Sequence, residues 1–407
     1  MINTGDTAFV LAAAGLVLLM TPGLALFYGG MVRSKNVLGT FMQSLIMISV
    51  ISIEWVFFGY TMSFGPDIQG LIGGFAWIGL RSVDSAPSPT YATTIPQNVF
   101  MIYQCMFAII TPALITGTFA ERVRFVPFVV FALLWSLLVY NPVCHWVWGS
   151  GGWLAARGVL DFAGGLVVHL TSGAAALAAV LVIGPRTGFG KQSIMPHNLP
   201  MTVLGAGLLW FGWFGFNGGS ALAANEIAAT AFVATHLAGM AGMAVWSLVE
   251  RVHRGKPTTL GAVSGAVAGL ATVTPAAGFI GPVAAIAIGM IAGLICYFAV
   301  SLIKNSIGLD DSLDVVGIHG VGGVIGTICL GVFASKSINP AGADGLLAGN
   351  AVFLGAQIFG VIVVGSYAFV VSWVLLKVIN AVMGLRMTVE SEVNGLDLSE
   401  HSETAYN

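Results

Sequence analysis

Hydrophobic residues along this chain come in blocks of about twenty, separated by short polar stretches, from Thr7 to Met383. A helix of that length crosses the roughly 30 Å hydrocarbon core of a bilayer. Eleven spans follow, at 7–31, 38–64, 97–119, 125–143, 163–184, 199–219, 227–249, 259–277, 281–304, 315–334 and 348–383. The connecting stretches carry Lys and Arg in strict alternation. One set holds Arg33 and Lys35, Arg122 and Arg124, Arg186 and Lys191, Arg251, Arg254 and Lys256, Lys304, and Lys377 with Arg386. The other set holds only Arg81, Arg157 and Lys336. Basic loops stay on the cytoplasmic face, so the first set predicts the inside. An odd number of spans then places the N-terminus outside and the C-terminus in the cytoplasm. The expectation is an all-α, multi-pass protein of the cytoplasmic membrane.

The pattern contains a weak internal duplication. Span 1 carries Phe27-Tyr-Gly-Gly30 and span 6 carries Phe216-Asn-Gly-Gly219; span 5 carries Asp161…His169 and span 10 carries Asp314…His319. Motifs recurring five spans apart imply two five-helix repeats of opposite orientation, followed by a final long helix. Inverted repeats place a substrate site near the midplane, at their interface.

Composition agrees with a membrane protein. Of 407 residues, 57% are hydrophobic and 8% charged, against about 25% charged in a soluble domain. The 54 glycines suit close helix packing, since small residues let backbones approach in lipid. Gly261, Gly265 and Gly269 would form one such seam. A net charge of -2 gives no sign of a nucleic-acid partner. Cys105, Cys144, Cys296 and Cys329 are widely spaced, lack metal-ligand spacing, and read as small core residues. No Lys or Arg precedes Arg33, so the charged n-region of a signal peptide is missing and the first block is expected to be a true span. The stretch 65–96, with Pro66, Pro87 and Pro89, reads as an irregular external cap. After Gly384 the chain turns polar and acidic through Glu390, Glu392, Asp397, Glu400 and Glu403. We therefore divide it into a transmembrane domain, 1–384, and a cytoplasmic tail, 385–407, suited to docking on the loops or to binding a soluble partner.

The chemistry concentrates on His169 and His319. An ionisable side chain inside a span is costly and marks a pathway or a proton-handling site. Two such residues at equivalent positions of a repeat point to a pair that meets. Two neutral imidazoles in contact can share a proton and still face a small polar solute. Zinc would need a third and fourth ligand, so no metal or cofactor is expected. Asp161 fits a helix N-cap, with an added role in attracting a cation, and Asp310, Asp311 and Asp314 suit the start of span 10. Trp148, Phe107, Trp213 and Phe216 with Ser220 offer an aromatic cage plus a hydroxyl, a reasonable cation site. From spacing alone, interfacial belts and core packing account better for most of the ten tryptophans. No nucleophile elbow, P-loop or dinucleotide fingerprint is present, which disfavours an enzyme.

Several segments together resemble the Amt/Mep/Rh ammonium transporters, in their bacterial and archaeal Amt branch. They are Thr21-Pro-Gly-Leu-Ala-Leu-Phe-Tyr-Gly-Gly30, Phe119-Ala-Glu-Arg122, Asp161-Phe-Ala-Gly-Gly165 with His169 and Gly184-Pro-Arg186, Pro196-His-Asn-Leu-Pro200, Gly212-Trp-Phe-Gly-Phe-Asn-Gly-Gly-Ser220, Gly317-Ile-His-Gly320, and the tail Gly395-Leu-Asp…Ala405-Tyr-Asn407. The resemblance runs nearly end to end. It implies a homotrimer in which each subunit has its own pore carrying ammonium or ammonia. It also implies external recruitment by Trp148, Phe107 and Ser220 with Asp161 behind them, a gate of Phe107 and Phe216, and a pore lined by His169, His319 and Trp213. The tail resembles a regulatory segment that contacts PII-type signalling proteins. Three alternatives stay open: an ammonium sensor on the same fold, a gas channel of the Rh type, and a membrane enzyme using His as acid and base.

Overall fold

Among the residues described by the computed structural model, 1–406, ten helices are long and apolar enough to cross a membrane, and an eleventh is shorter. In chain order they are α1 (Thr4–Met31), α2 (Ser34–Phe64), α3 (Gln97–Phe119), α4 (Phe125–Trp148), α5 (Gly165–Ile183), α6 (Leu199–Gly218), α7 (Glu226–Arg254), α8 (Thr259–Val273), α9 (Pro282–Ile307), α10 (Val316–Phe333) and α11 (Ala351–Met383). The sequence-predicted spans all recur, with two differences. The fourth continues past residue 143 to Trp148, which makes Trp148 the last residue of a helix rather than part of a loop. The eighth has 15 residues, about 22 Å of helix, less than a full crossing.

Side-chain caps set many of the helix starts. The side-chain oxygens of Asn3, Asn198, Asn225, Thr258 and Asn350 accept from backbone N–H groups in the first turns of α1, α6, α7, α8 and α11. Each satisfies a donor that a helix start leaves without an internal partner. Glycines set the helix-to-helix distance. A Cβ on Gly205 of α6 would lie 2.2 Å from the Phe27 nitrogen of α1, and one on Gly269 of α8 would lie 2.2 Å from the Ala238 carbonyl of α7. The glycine seam on α8 is therefore a packing seam.

Six π-helical turns interrupt this framework: Trp55–Gly59 in α2, Ser136–Tyr140 in α4, Gly165–Leu170 opening α5, Phe214–Gly218 closing α6, Leu302–Ile307 closing α9, and Val316–Gly320 opening α10. Such turns are rare and concentrate at functional sites. Three of them contain His169, Phe216 and His319.

The arginine-rich end is closed by a buried ionic lattice. Arg186 pairs with Asp310 at 2.8 Å and Glu121 at 3.3 Å, Arg122 pairs with Asp310 at 3.0 Å, and Arg33 pairs with Glu121 at 2.8 Å. Burial alone would push the Glu121 and Asp310 carboxyls up, but the facing guanidiniums outweigh it and hold both below the usual carboxylate range. The tail folds onto this end as two short helices, α12 (Val389–Asn394) and α13 (Leu396–His401). Glu392 accepts from the Thr187 N–H at 3.0 Å and pairs with Arg386, and Asp397 accepts from the Gly39 N–H at 2.8 Å. Tyr406 reaches His197 at 2.9 Å; Asn407, the last residue of the tail motif, lies outside the described residues. At the arginine-poor end, residues 65–96 form two small antiparallel ribbons, β1 (Asp67–Ile68) with β2 (Ile72–Gly73) and β3 (Pro87–Ser88) with β4 (Ala92–Pro96).

Candidate functional site: a vestibule, a ring stack and a histidine-lined cavity

The two histidines meet. Their Nδ1 atoms lie 3.2 Å apart and their rings are nearly parallel, with centroids 5.2 Å apart. Each sits in the π turn that opens its helix, and the helices touch at glycine: a Cβ on Gly173 would lie 2.1 Å from the Gly320 Cα. Backbone contact thus sets the imidazole spacing. Between the two Nδ1 atoms one must donate and the other accept. In either tautomer the His169 Nε2 is buried and has no protein partner among the described residues.

A carboxylate eight residues upstream anchors each half. Asp161 accepts from the N–H groups of Gly164, Gly165, Leu166 and Val167 at 2.7–3.1 Å. Burial pushes its carboxyl up, and the four amide donors pull against that. Gly164, at φ +119°, makes the turn that brings those amides round, a conformation that suits glycine. In the second half this part belongs to Asp311, which accepts from Val315 and Val316 at 3.2 and 2.8 Å and from the Thr118 hydroxyl at 3.1 Å. The sequence pairing of Asp161 with Asp314 is therefore corrected: Asp314 turns away to Lys304. The spacing agrees, since Asp161 to His169 and Asp311 to His319 are both eight positions.

The cavity on the histidines is slim, about 10 Å³, enough for about one water-sized molecule. Its wall is apolar apart from the imidazoles and the edge of Trp213, and includes Leu24, Ile110, Leu114 and Val267. Trp213 lies 5.6 Å from the His169 ring and donates its indole N–H to Thr274 at 3.0 Å. The acceptor Thr274 is the C-cap of α8, and Pro275 after it has no N–H to carry the helix on. Phe27 and Phe216 both line this cavity, one from each repeat.

Phe216 stacks on Phe107 at 4.3 Å, and these two rings separate the cavity from a wider vestibule of about 310 Å³ at the arginine-poor end. Phe107, Trp148, Asp161 and Ser220 all line that vestibule. Trp148 stands edge-on to Phe107 at 6.0 Å and donates to the Asp161 backbone carbonyl at 2.7 Å. Asp161 thus holds Trp148 through its carbonyl and the α5 start through its carboxylate. Ser220 lies beyond the π turn, not on one continuous α-helical face with Trp213 and Phe216, and its hydroxyl meets the Phe216 carbonyl at 2.8 Å. Sequence reasoning missed Tyr103, whose hydroxyl reaches the Gly215 and Phe216 carbonyls at 2.9 and 2.8 Å and Ser220 at 3.3 Å. Its position four before Phe107, on the same helix face, was the available signal. Gln104, also missed, lines the vestibule with a buried, unpartnered side-chain oxygen.

A helical membrane protein with inverted repeats and an enclosed polar point at the repeat interface is a transporter or channel by class. Comparison with known proteins makes this specific. Residues 8–406 match the model of the Ammonium Transporter Family, and the chain belongs to that family. It is 52% identical over 402 residues to an ammonium transporter of Bacillus subtilis, covering 99% of this chain and 98% of that one. It is 47% identical to ammonium transporter Amt1 of Archaeoglobus fulgidus, covering 99% and 100%. Among solved structures, Candida albicans Mep2 superposes with a TM-score of 0.90 at 35% identity, covering 95% of this chain and 87% of that one. A structure described as a sensor Amt protein gives 0.91 at 31% identity, covering 98% of each.

Proposed function

We propose that this ammonium transporter family member takes up ammonium by recruiting it as a cation and passing it on as ammonia. Trp148, Phe107 and Ser220 hold the cation in the vestibule, with Asp161 fixing their geometry from behind. Ring faces attract ammonium-like ions by up to about 2 kcal/mol when desolvated. Phe107 and Phe216 part to let the molecule through, and His169, His319 and Trp213 line its route. Losing a proton at the ring stack removes the charge whose desolvation in an apolar cavity would be prohibitive. Potassium, similar in size, has no proton to lose and is refused. The observation that carries this reading is the unpartnered His169 Nε2 in a cavity of about 10 Å³. It offers one hydrogen bond to one small neutral guest, and the imidazole pair can relay the released proton.

The arginine-rich end is the cytoplasmic one in this reading, with the N-terminus outside and the chain in the cytoplasmic membrane. The assembly is a homotrimer, which native mass spectrometry tests. The folded tail is its regulatory segment and meets a PII-type signalling protein. In proteoliposomes, ammonium currents should far exceed potassium currents, and replacing both His169 and His319 with Ala should abolish that selectivity. Potassium currents as large as ammonium currents, or selectivity kept without the histidines, would refute the mechanism.

A further inference from the structure

Three of the six π turns hold neither a histidine of the pair nor Phe216, and two of these three lie side by side. Trp55–Gly59 in α2 and Ser136–Tyr140 in α4 pack on each other and bracket one carboxyl, Glu54. Glu54 is 4% exposed and sits ten residues from the vestibule end of α2, about 15 Å along the helix. It accepts from the Asn141 side-chain N–H at 2.7 Å and the Ser136 hydroxyl at 3.2 Å, and among the described residues no cation pairs with it. Gly59 leaves it room, since a Cβ there would lie 2.8 Å from its Oε2. The neighbouring Tyr140 hydroxyl is fully buried and has no partner, though the Glu54 carboxyl lies within its electrostatic reach.

Polar groups also lie between this site and the surface. The Asn141 oxygen meets the Ser63 hydroxyl at 3.5 Å, the Ser63 carbonyl meets His145 Nδ1 at 2.9 Å, and His145 Nε2 meets Asp67 at 2.9 Å. Asp67 is part-exposed at the vestibule end. Polar groups therefore stand between outer water and Glu54; the Asn141 amide and the Ser63 carbonyl among them hold hydrogen bonds rather than pass a proton.

We propose that Glu54, with Ser136, Tyr140 and Asn141, is a second membrane-embedded site whose ligand is a single proton drawn from the outer medium. An intramembrane carboxyl without a counter-cation marks proton handling, and the π turns widen both helices around it. The step is simple addition: the carboxylate takes a proton from bulk water and becomes a carboxylic acid. Its effect reaches the vestibule through Asn141, the first residue of the last α-helical segment of α4, which ends at Trp148. Protonation removes the charge assistance from the Asn141 and Ser136 hydrogen bonds and so resets the segment that presents Trp148. The other titratable groups facing Glu54 are Tyr140 from α4 and Cys105 from α3, with Cys144 beyond Tyr140.

Infrared difference spectra of the full-length protein in lipid, recorded as pH is stepped, provide the test. Wild type should show a protonated-carboxyl carbonyl band that is missing in Glu54→Gln and shifted in Ser136→Ala, which removes the hydroxyl bonded to Glu54. The link to Trp148 rests on the transport reading above, whereas the spectrum requires no transport, so the two can fail separately. In uptake assays the apparent KM for ammonium should vary with external pH by about three- to tenfold, the factor one charge-assisted hydrogen bond supplies. Glu54→Gln should flatten that limb with kcat kept. An unchanged band in Glu54→Gln overturns the proposal, as does an unchanged pH profile. Should that variant not assemble, a Ser136→Ala spectrum identical to wild type overturns it equally.

Discussion

The two histidine-bearing halves share one plan and differ in their surroundings. In each, a carboxylate caps a π turn and fixes a histidine eight residues on. In the first half the carboxylate is Asp161, held by four backbone N–H groups, and its own carbonyl carries Trp148 at the edge of a vestibule. In the second half it is Asp311, held by two N–H groups and Thr118, next to an ionic lattice of Arg122, Arg186, Asp310 and Glu121. The plan fixes where the imidazoles sit. The surroundings differ at the two ends: one presents aromatic rings to the vestibule, and the other ties the helix of the second histidine to the loops and the tail.

Removing the two carboxylates would test this difference most strongly. Asp161→Ala strands four buried backbone donors, each worth about 1–3 kcal/mol, so a loss of about 4 kcal/mol or more is expected. Asp311→Ala strands two and should lose about half as much. Thermal unfolding of the purified proteins measures both, and equal losses would mean the halves are anchored alike. The next effect comes from the lattice. Arg186→Gln leaves Asp310 and Glu121 short of a buried partner, at a cost of about 3–5 kcal/mol shared with the remaining arginines. It should also loosen the tail, because Glu392 holds Thr187, the next residue; protease cutting near Glu392 reports this.

The smallest effect is a pH dependence. Burial and the charge of nearby Asp314 push the Asp311 carboxyl up to about 6, so the folded protein binds more protons there than the unfolded chain between about pH 4 and 6. Its contribution to stability therefore falls as pH rises through that window. Asp310 and Glu121 work the other way: their carboxyls are depressed, so their stabilisation is present above the ordinary carboxylate range and fades in acid. Asp311→Asn removes only the first term. The melting temperature of this variant minus that of wild type should rise from pH 4 to pH 6, and a flat difference would remove Asp311 from the account.

Much of this was legible in the sequence, for identifiable reasons. The spans follow from runs of apolar residues, whose cost in water leaves few alternatives, and the histidines stand out because their surroundings make them expensive. Asp311 was hidden among three neighbouring aspartates, and only the eight-residue spacing distinguishes it. Tyr103 was missed because a tyrosine in an apolar run reads as core, and its hydroxyl partners are carbonyls of a helix more than a hundred residues away. The short α8 was overestimated for a related reason: apolar residues continue past Val273 into a turn. Glu54 drew no attention because its partners Asn141 and Ser136 lie over eighty residues on.

The π turns have a consequence for how such a protein can change by inheritance. Each holds one residue more than an α-helical turn would, so each corresponds to a single inserted codon. Deleting one codon within Val316–Gly320 would restore regular winding while turning one side of the helix by about 100° against the other. Such a deletion would carry His319 off the face on which it meets His169.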